Sequence, residues 1–280
     1  MTTYTSTDTV LVLGATGKVG RRLVPALRAT GREVKAASRK GAVRFDWAEQ
    51  GTWAGALAGA SAVHLLAPED PGLAEPFVRQ AVAAGVRRFV ALSGRGVDRV
   101  PADTFRGMTA AEKAVRESGV EWTVLRPNNF HQNFDEDLWR APLRAGRLAL
   151  PAANAPEPFV DVRDIAEVAA VLLTSGSRLQ GEVYDVSGAR ALTFGEAVAE
   201  ISRAAERPIV YEELTPEEYR AELLEQGFAE EAAYELNALF ATVRAGHSAA
   251  PSDTVARLLG REPVAFTEYA ARAAASGAWA

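Results

Sequence analysis

Val10-Leu-Val-Leu-Gly-Ala-Thr-Gly-Lys-Val-Gly20 is the stretch that decides the fold. Val10 to Leu13 place four apolar residues in a row, which reads as a short strand buried on both faces. Gly14, Gly17 and Gly20 follow with the spacing G-x-x-G-x-x-G. Beyond the turn, Val19, Leu23, Val24 and Leu27 recur at helical spacing. Strand, glycine turn and helix in that order predict a dinucleotide phosphate site. The turn must be tight and must let a diphosphate reach the backbone, so side chains are excluded there. The helix start adds unpaired N–H groups and partial positive charge.

Outward from this stretch, strands and helices alternate. Residues 33–38, 61–67, 88–93 and 121–126 read as strands, and 52–57, 72–85 and 103–118 as helices. That alternation predicts an α/β fold, a Rossmann-type doubly wound parallel sheet with right-handed crossovers. Ligands on such sheets sit beyond the strand C-termini, so the ends at Gly14, Ser38, Ala67, Ser93 and Arg126 are expected to line one crevice. The rest of the chain differs. A helix begins within residues 159–170, capped by Asp161. Residues 182–186 form a strand, a Thr193-capped helix runs to Arg207, and 208–213 form another strand. Residues 215–227, 229–245 and the segments after Asp253 read as helices. The expected organisation is a nucleotide-binding domain over 1–150, with 181–206 returning to it. Residues 151–280 form a smaller, mostly helical substrate-binding part. No linker separates the two, so a substrate cleft is expected between them.

The composition narrows the function. The chain has 280 residues, is 48% apolar and 24% charged, and carries a net charge of −5. No global field favours nucleic acid or an anionic membrane. No apolar run is long enough for a membrane-spanning helix. Residues 1–9 lack the features of a signal peptide and read as a frayed tail. Cysteine is absent, which excludes disulfides and thiolate chemistry and fits a cytoplasmic protein. Carboxylates are scattered without metal-ligand spacing, so no metal is expected.

Taken together, Gly14-Ala-Thr-Gly-Lys-Val-Gly20, Ser38-Arg39, Leu66-Ala-Pro68, Leu92-Ser93, Arg126-Pro127, the 159–166 stretch Phe-Val-Asp-Val-Arg-Asp-Ile-Ala and Gly-His-Ser at 246–248 resemble the NmrA-like atypical short-chain dehydrogenases/reductases. The likeness is greatest to the NAD(P)H quinone/ketone reductase-like subgroup. It covers nearly the whole chain. The resemblance implies that Gly14, Thr16, Gly17, Lys18, Val19 and Gly20 hold the diphosphate, and that Ser38, Arg39 and Asp46 surround the adenosine end. It further implies that Leu66, Ala67, Pro68, Asn128, Asn129 and Phe130 continue the cofactor site toward the nicotinamide.

Strand two ends Ser38-Arg39-Lys40, with no acid to bind the ribose hydroxyls. A guanidinium there suits a 2′-phosphate, so NADP(H) is expected over NAD(H). The alternative is a solvated basic turn. Lys18 either adds charge to the glycine loop or is a surface residue, and Trp47 lies against the adenine or covers the sheet edge.

The resemblance also exposes a gap. Typical short-chain reductases use a Ser and a Tyr-x-x-x-Lys helix, where the lysine lowers the phenol's pKa. The Tyr and Lys places fall here at Met108 and Glu112, which cannot protonate an alkoxide. Ser93 remains as an oriented hydroxyl, or as a strand-end cap. His131 is the candidate proton donor, with a structural histidine as the alternative. His64, in an apolar strand, reads as a buried, satisfied histidine. Asp161 and Asp164 read as capping and salt-bridging residues. Phe134, Trp139 and Phe159 supply either a flat substrate pocket or ordinary packing, with Phe130 beside them.

Weak proton machinery suits substrates whose reduced anions are already delocalised. The expected activity is NADPH-dependent reduction of a quinone or an aromatic, polyketide-type ketone. A non-catalytic NADP(H) sensor and an oxygen-using tailoring enzyme are the alternatives. The expected partner is a small aromatic molecule, with no nucleic acid and no membrane, and the protein is expected to be a monomer or homodimer.

Overall fold

A computed structural model describes residues 8–280. Most of the tail expected at the N-terminus lies outside the described residues, but Thr9 already belongs to the first strand. In chain order the elements are β1 (Thr9–Leu13), α1 (Gly20–Ala29), β2 (Glu33–Ser38), β3 (Val43–Arg44), α2 (Trp53–Leu57), β4 (Ala60–Leu66), α3 (Ala74–Ala83) and β5 (Arg88–Leu92). Then come α4 (Arg106–Arg116), β6 (Glu121–Pro127), α5 (Arg140–Arg144), β7 (Arg147–Leu150), α6 (Val162–Thr174), β8 (Glu182–Val186) and α7 (Phe194–Ala204). The chain closes with β9 (Val210–Glu213), α8 (Pro216–Glu225), α9 (Glu230–Arg244), α10 (Thr254–Leu259) and α11 (Phe266–Ala275).

Seven strands form one sheet in the order β3-β2-β1-β4-β5-β6-β8. All its pairs are parallel. The chain runs outward from β1 through β2 to β3, then crosses back to β4 on the other flank of β1. The order therefore reverses beside Gly14, the place where open α/β sheets bind ligands. Burial on both faces explains the unbroken apolar run Val10–Leu13 of β1. Val10, Val12, Ala62 and Val90 pack on one face against Leu23, Leu27, Ile165 and Ala169 of α1 and α6. Leu11, Leu13, Val63 and Phe89 pack on the other against Trp53, Phe77, Val78 and Val115 of α2, α3 and α4.

A second core lies C-terminal to the sheet. It gathers Phe134, Trp139, Phe159, Phe194, Phe240, Tyr269 and Trp279. Strands β7 and β9 pair there in parallel, with Arg147 opposite Val210. The division along the chain is more interleaved than 1–150 and 151–280. Helix α6 covers the sheet beside α1, and β8 adds its last strand beside β6. Helix α7 packs on α11 and β9 in the second core rather than returning to the sheet. Thr193 and Glu196 form a reciprocal capping box at its start.

Candidate functional site

The glycine loop has the form a diphosphate needs. Gly14 takes φ +65°, open to glycine at little cost. Its carbonyl accepts the Gly17 N–H at 2.9 Å, which closes the turn. A Cβ on Gly20 would lie 2.2 Å from Gly14 O and 2.7 Å from Ala15 Cα, so α1 can approach β1 only with glycine there. A Cβ on Gly17 meets only Gly14 O, at 3.2 Å. Thr16 and Gly17 are exposed, whereas Val19 is buried and anchors the helix. No side chain caps the start of α1. Arg21 and Arg22 N–H already donate to Gly17 O and Val19 O, at 3.1 and 3.0 Å, so the N–H groups of Lys18, Val19 and Gly20 are the ones open to an anion. These residues fit a dinucleotide diphosphate.

Along β2, Ser38 is half-buried and Arg39 and Lys40 are exposed at the turn. Asp46 spends its carboxylate on Ala48 N, at 3.0 Å. Trp47 stands edge-on to Phe45, Trp53 and Phe77, with centroids 5.1, 5.7 and 5.0 Å away. Leu66, at the end of β4, is 41% exposed and lies over Gly14. Ala67 is half-buried and Pro68 buried. Gly107 of α4 lets the Pro68 carbonyl approach, since a Cβ there would sit 1.8 Å from that oxygen.

Lys18 faces across the site. Its ammonium donates to Asn133 Oδ1 at 2.8 Å, pairs with Asp137 and lies 5.4 Å from the Phe130 ring. Arg21 and Arg22 pair with Glu136. The basic face of α1 is thereby tied to the segment that follows β6.

Beyond the ends of β5 and β6 lies a cavity of about 180 Å³. Ser93, Met108, Asn128, Asn129 and Phe130 line it, with Val97, Phe105, Leu239 and Val243 as apolar walls. Phe105 adopts φ 45°, unusual for a side-chain-bearing residue, and its N–H donates to Glu235 of α9 at 3.1 Å. Ser93 Oγ is buried and has no partner of normal hydrogen-bond geometry. It stands near enough to Glu112 to lower that carboxyl's pKa.

Glu157 forms the polar side of the cavity and is 1% exposed. Its Oε1 accepts from Asn128 Nδ2 at 3.0 Å, Asn129 N at 2.9 Å and Asn129 Nδ2 at 3.1 Å. Its Oε2 accepts from Ser248 Oγ at 3.0 Å. Arg95 donates to Asn128 Oδ1 at 2.9 Å and pairs with Asp185 at 3.2 Å. The sequence singled out neither Glu157 nor Arg95. The available signals were Gly94-Arg-Gly96 just after β5 and a charged residue between Pro156 and Pro158.

Met108 and Glu112 part company in the structure. Met108 lines the cavity. Glu112 is buried and receives two hydrogen bonds from Arg126, at 2.9 and 2.8 Å. Burial pushes its carboxyl up, but the hydrogen bonds from Arg126, the nearby Ser93 hydroxyl and the Arg126 charge hold it below the usual range. Arg126 also pairs with Asp98 at 2.9 Å, and through Glu112 it joins β6 to α4.

Other expected site residues lie elsewhere. His131 does not line the cavity. The turn at His131–Asn133 carries it inward, where Nε2 donates to Phe159 O at 3.0 Å. Its ring packs on Phe266 and Tyr269, and it is 1% exposed. Phe134, Trp139 and Phe159 belong to the second core, because their side chains fill space between α7, α11 and the chain after β6. Phe130 alone of these aromatics lines the cavity. His64 is buried on β4, but its Nδ1 has no partner, and burial lowers its pKa to about 4. It is a neutral histidine and not a fully satisfied one. Asp161 caps α6 through Arg163 N at 2.8 Å and pairs with Arg272 at 2.8 Å. Asp164 pairs with Arg261 at 2.7 Å. Among the described residues no cluster of side chains is arranged to hold a metal, and no helix is long and apolar enough to cross a membrane.

Residues 14–175 match the model of the NAD(P)H-binding family. The chain belongs to that family. Within it, this is an NmrA-like atypical short-chain dehydrogenase/reductase, an NAD(P)H-dependent oxidoreductase. It is 34% identical over 277 residues to a (4-alkanoyl-5-oxo-2,5-dihydrofuran-3-yl)methyl phosphate reductase of Streptomyces griseus, spanning 94% of this chain and 96% of the relative. It is 31% identical over 287 residues to an NAD(P)H azoreductase of Xenophilus azovorans, spanning 96% of this chain and 99% of the relative. Its fold is that of an NADPH-dependent quinone oxidoreductase from Escherichia coli, with TM-score 0.76 at 21% identity over 94% of this chain and 98% of the other.

Proposed function

We propose that this oxidoreductase uses NADPH to reduce a small conjugated aromatic molecule, such as a quinone or an aromatic ketone. The observation that carries this reading is the cavity itself. It is largely apolar, meets the glycine loop at Phe130, and contains a buried hydroxyl, Ser93 Oγ, that makes no hydrogen bond of normal geometry among the described residues. Bound NADPH supplies a hydride. Ser93 donates a hydrogen bond to the substrate oxygen as negative charge develops on it. The apolar walls exclude water and hold a flat ring. With His131 turned into the core, solvent supplies the proton. Quinones and extended ketones suit such a site because their reduced anions are delocalised. Exposed Arg39, with no acid in place of a ribose ligand, supports NADPH over NADH. The test is NADPH oxidation, followed by absorbance, against naphthoquinones, azo dyes, aromatic ketones and saturated ketones. Turnover is expected with the conjugated acceptors and not with the saturated ones. Absence of turnover with every acceptor at saturating NADPH would refute the reading.

A further inference from the structure

The cavity holds one acceptor that its own network sets in place and leaves unused. An ionised carboxylate only accepts hydrogen bonds. Glu157 Oε1 receives both the Asn129 main-chain N–H and its Nδ2. Turning the Asn129 amide over would set Oδ1 against the carboxylate, oxygen on oxygen, so its orientation is fixed by charge. Asn128 differs. Its Nδ2 donates to Glu157 and Ser248 O, and its Oδ1 accepts from Arg95. Its amide is fully engaged. Asn129 lines the cavity, is half-exposed, and its Oδ1 accepts no hydrogen bond from the described residues. Ser93 Oγ, on the same cavity, is the complementary group that can donate.

From this arrangement we infer that Glu157 and Asn129 select the substrate: the site takes conjugated carbonyl compounds carrying an N–H or O–H donor, the carbonyl received by Ser93 and the donor by Asn129 Oδ1. Glu157 is a positioning residue, acting only through the Asn129 amide. The inference rests on the cavity being the substrate site of the reductase proposed above.

Binding tests it without requiring turnover. The protein loaded with NADP⁺ is titrated calorimetrically with 2-amino-1,4-naphthoquinone and with 2-methyl-1,4-naphthoquinone, which lacks the donor. The amino compound should bind about tenfold more tightly, the worth of one well-formed buried hydrogen bond. Asn129→Leu should bring the ratio close to one. Glu157→Gln should narrow the ratio, because a neutral amide no longer dictates how Asn129 lies. Equal affinities in the wild type would overturn the inference, as would a preference that survives Asn129→Leu. A loss of NADP⁺ affinity in Asn129→Leu with the quinone preference unchanged would also overturn it, assigning Oδ1 to the cofactor's carboxamide. A preference in binding without reduction of either quinone would uphold the inference and remove the reductase reading instead.

Discussion

Seven consecutive residues, 14–20, make the glycine loop, whereas the cavity draws on separated stretches around 93–108, 127–133, 157 and 239–248. In the loop the contacts that matter are backbone to backbone, such as Gly17 N to Gly14 O. A side chain at Gly14, Gly17 or Gly20 would only get in the way. In the cavity the contacts run between side chains from different elements: Arg95 to Asn128, Asn128 and Asn129 to Glu157, Ser248 to Glu157. The two halves meet at Phe130, beneath the Lys18 ammonium. The two networks touch only where Lys18 reaches Asn133 and Phe130, so most bonds of one can change without breaking those of the other.

Adding a side chain to the loop is the severest way to test that comparison. In Gly17→Val, overpacking against Gly14 O and the diphosphate should weaken NADPH binding on the order of 100-fold or more, the equivalent of about 3 kcal/mol. The protein should stay folded, since Gly17 is exposed, and calorimetry with thermal melting checks both points. Wild-type affinity in this variant would assign the loop another purpose.

The next test uses pH to weaken the strand that carries Leu66 over the loop. His64 is neutral in the fold, with a pKa of about 4 against an ordinary 6.5. The unfolded chain takes up the proton first. Stability from this group is therefore complete above pH 6.5, falls as pH drops toward 4, and levels off below. The full loss is about 3 kcal/mol. His64→Val should lack that part of the acid sensitivity, and denaturation of both proteins across this range measures the difference. Parallel curves would show that His64 does not contribute it.

Within the cavity, Ser93→Ala should lower kcat by ~10²-fold if the hydroxyl stabilises developing charge. Met108→Leu, a volume-conserving change on the same wall, should leave most of the activity. NADPH affinity should be unaffected in both. Equal losses of kcat would displace the reacting centre from Ser93.

The smallest expected effect is at the far end of the cofactor. Arg39→Ala should cost roughly 1.5–3 kcal/mol of NADPH binding and none of NADH binding. Titration with both cofactors reads it directly, and unchanged NADPH affinity would remove Arg39 from the 2′-phosphate.

The local half of the site was legible in the sequence for the same reason that it is robust. Gly14, Gly17 and Gly20 are close in the chain, so their spacing is their geometry. Residues 33–38 and 182–186 likewise read as strands at the bounds that β2 and β8 adopt. Glu157 was invisible because its partners lie 28, 29 and 91 residues away, separations that no local pattern encodes. His131 misled because it directly follows Asn128-Asn-Phe130, while one tight turn reverses its direction. Phe134, Trp139 and Phe159 show that aromatic content does not distinguish a pocket from a core. Strand β7 escaped because four residues, pairing with a strand near Val210, carry too little periodicity to read.

The pairing of β6 with β8 has a consequence for synthesis on the ribosome. Roughly 60 residues separate the end of one strand from the end of the other, including all of α5, β7 and α6. At roughly 5–20 residues per second, translation takes roughly 3–12 s to cross that interval. Throughout it, one edge of β6 offers unpaired amides and carbonyls beside Thr123, Val124 and Leu125. An open edge of that kind is a template for a second nascent chain. The newborn protein thus carries an open sheet edge from the completion of β6 until β8 emerges, an interval in which a holding chaperone would have a strand edge to shield.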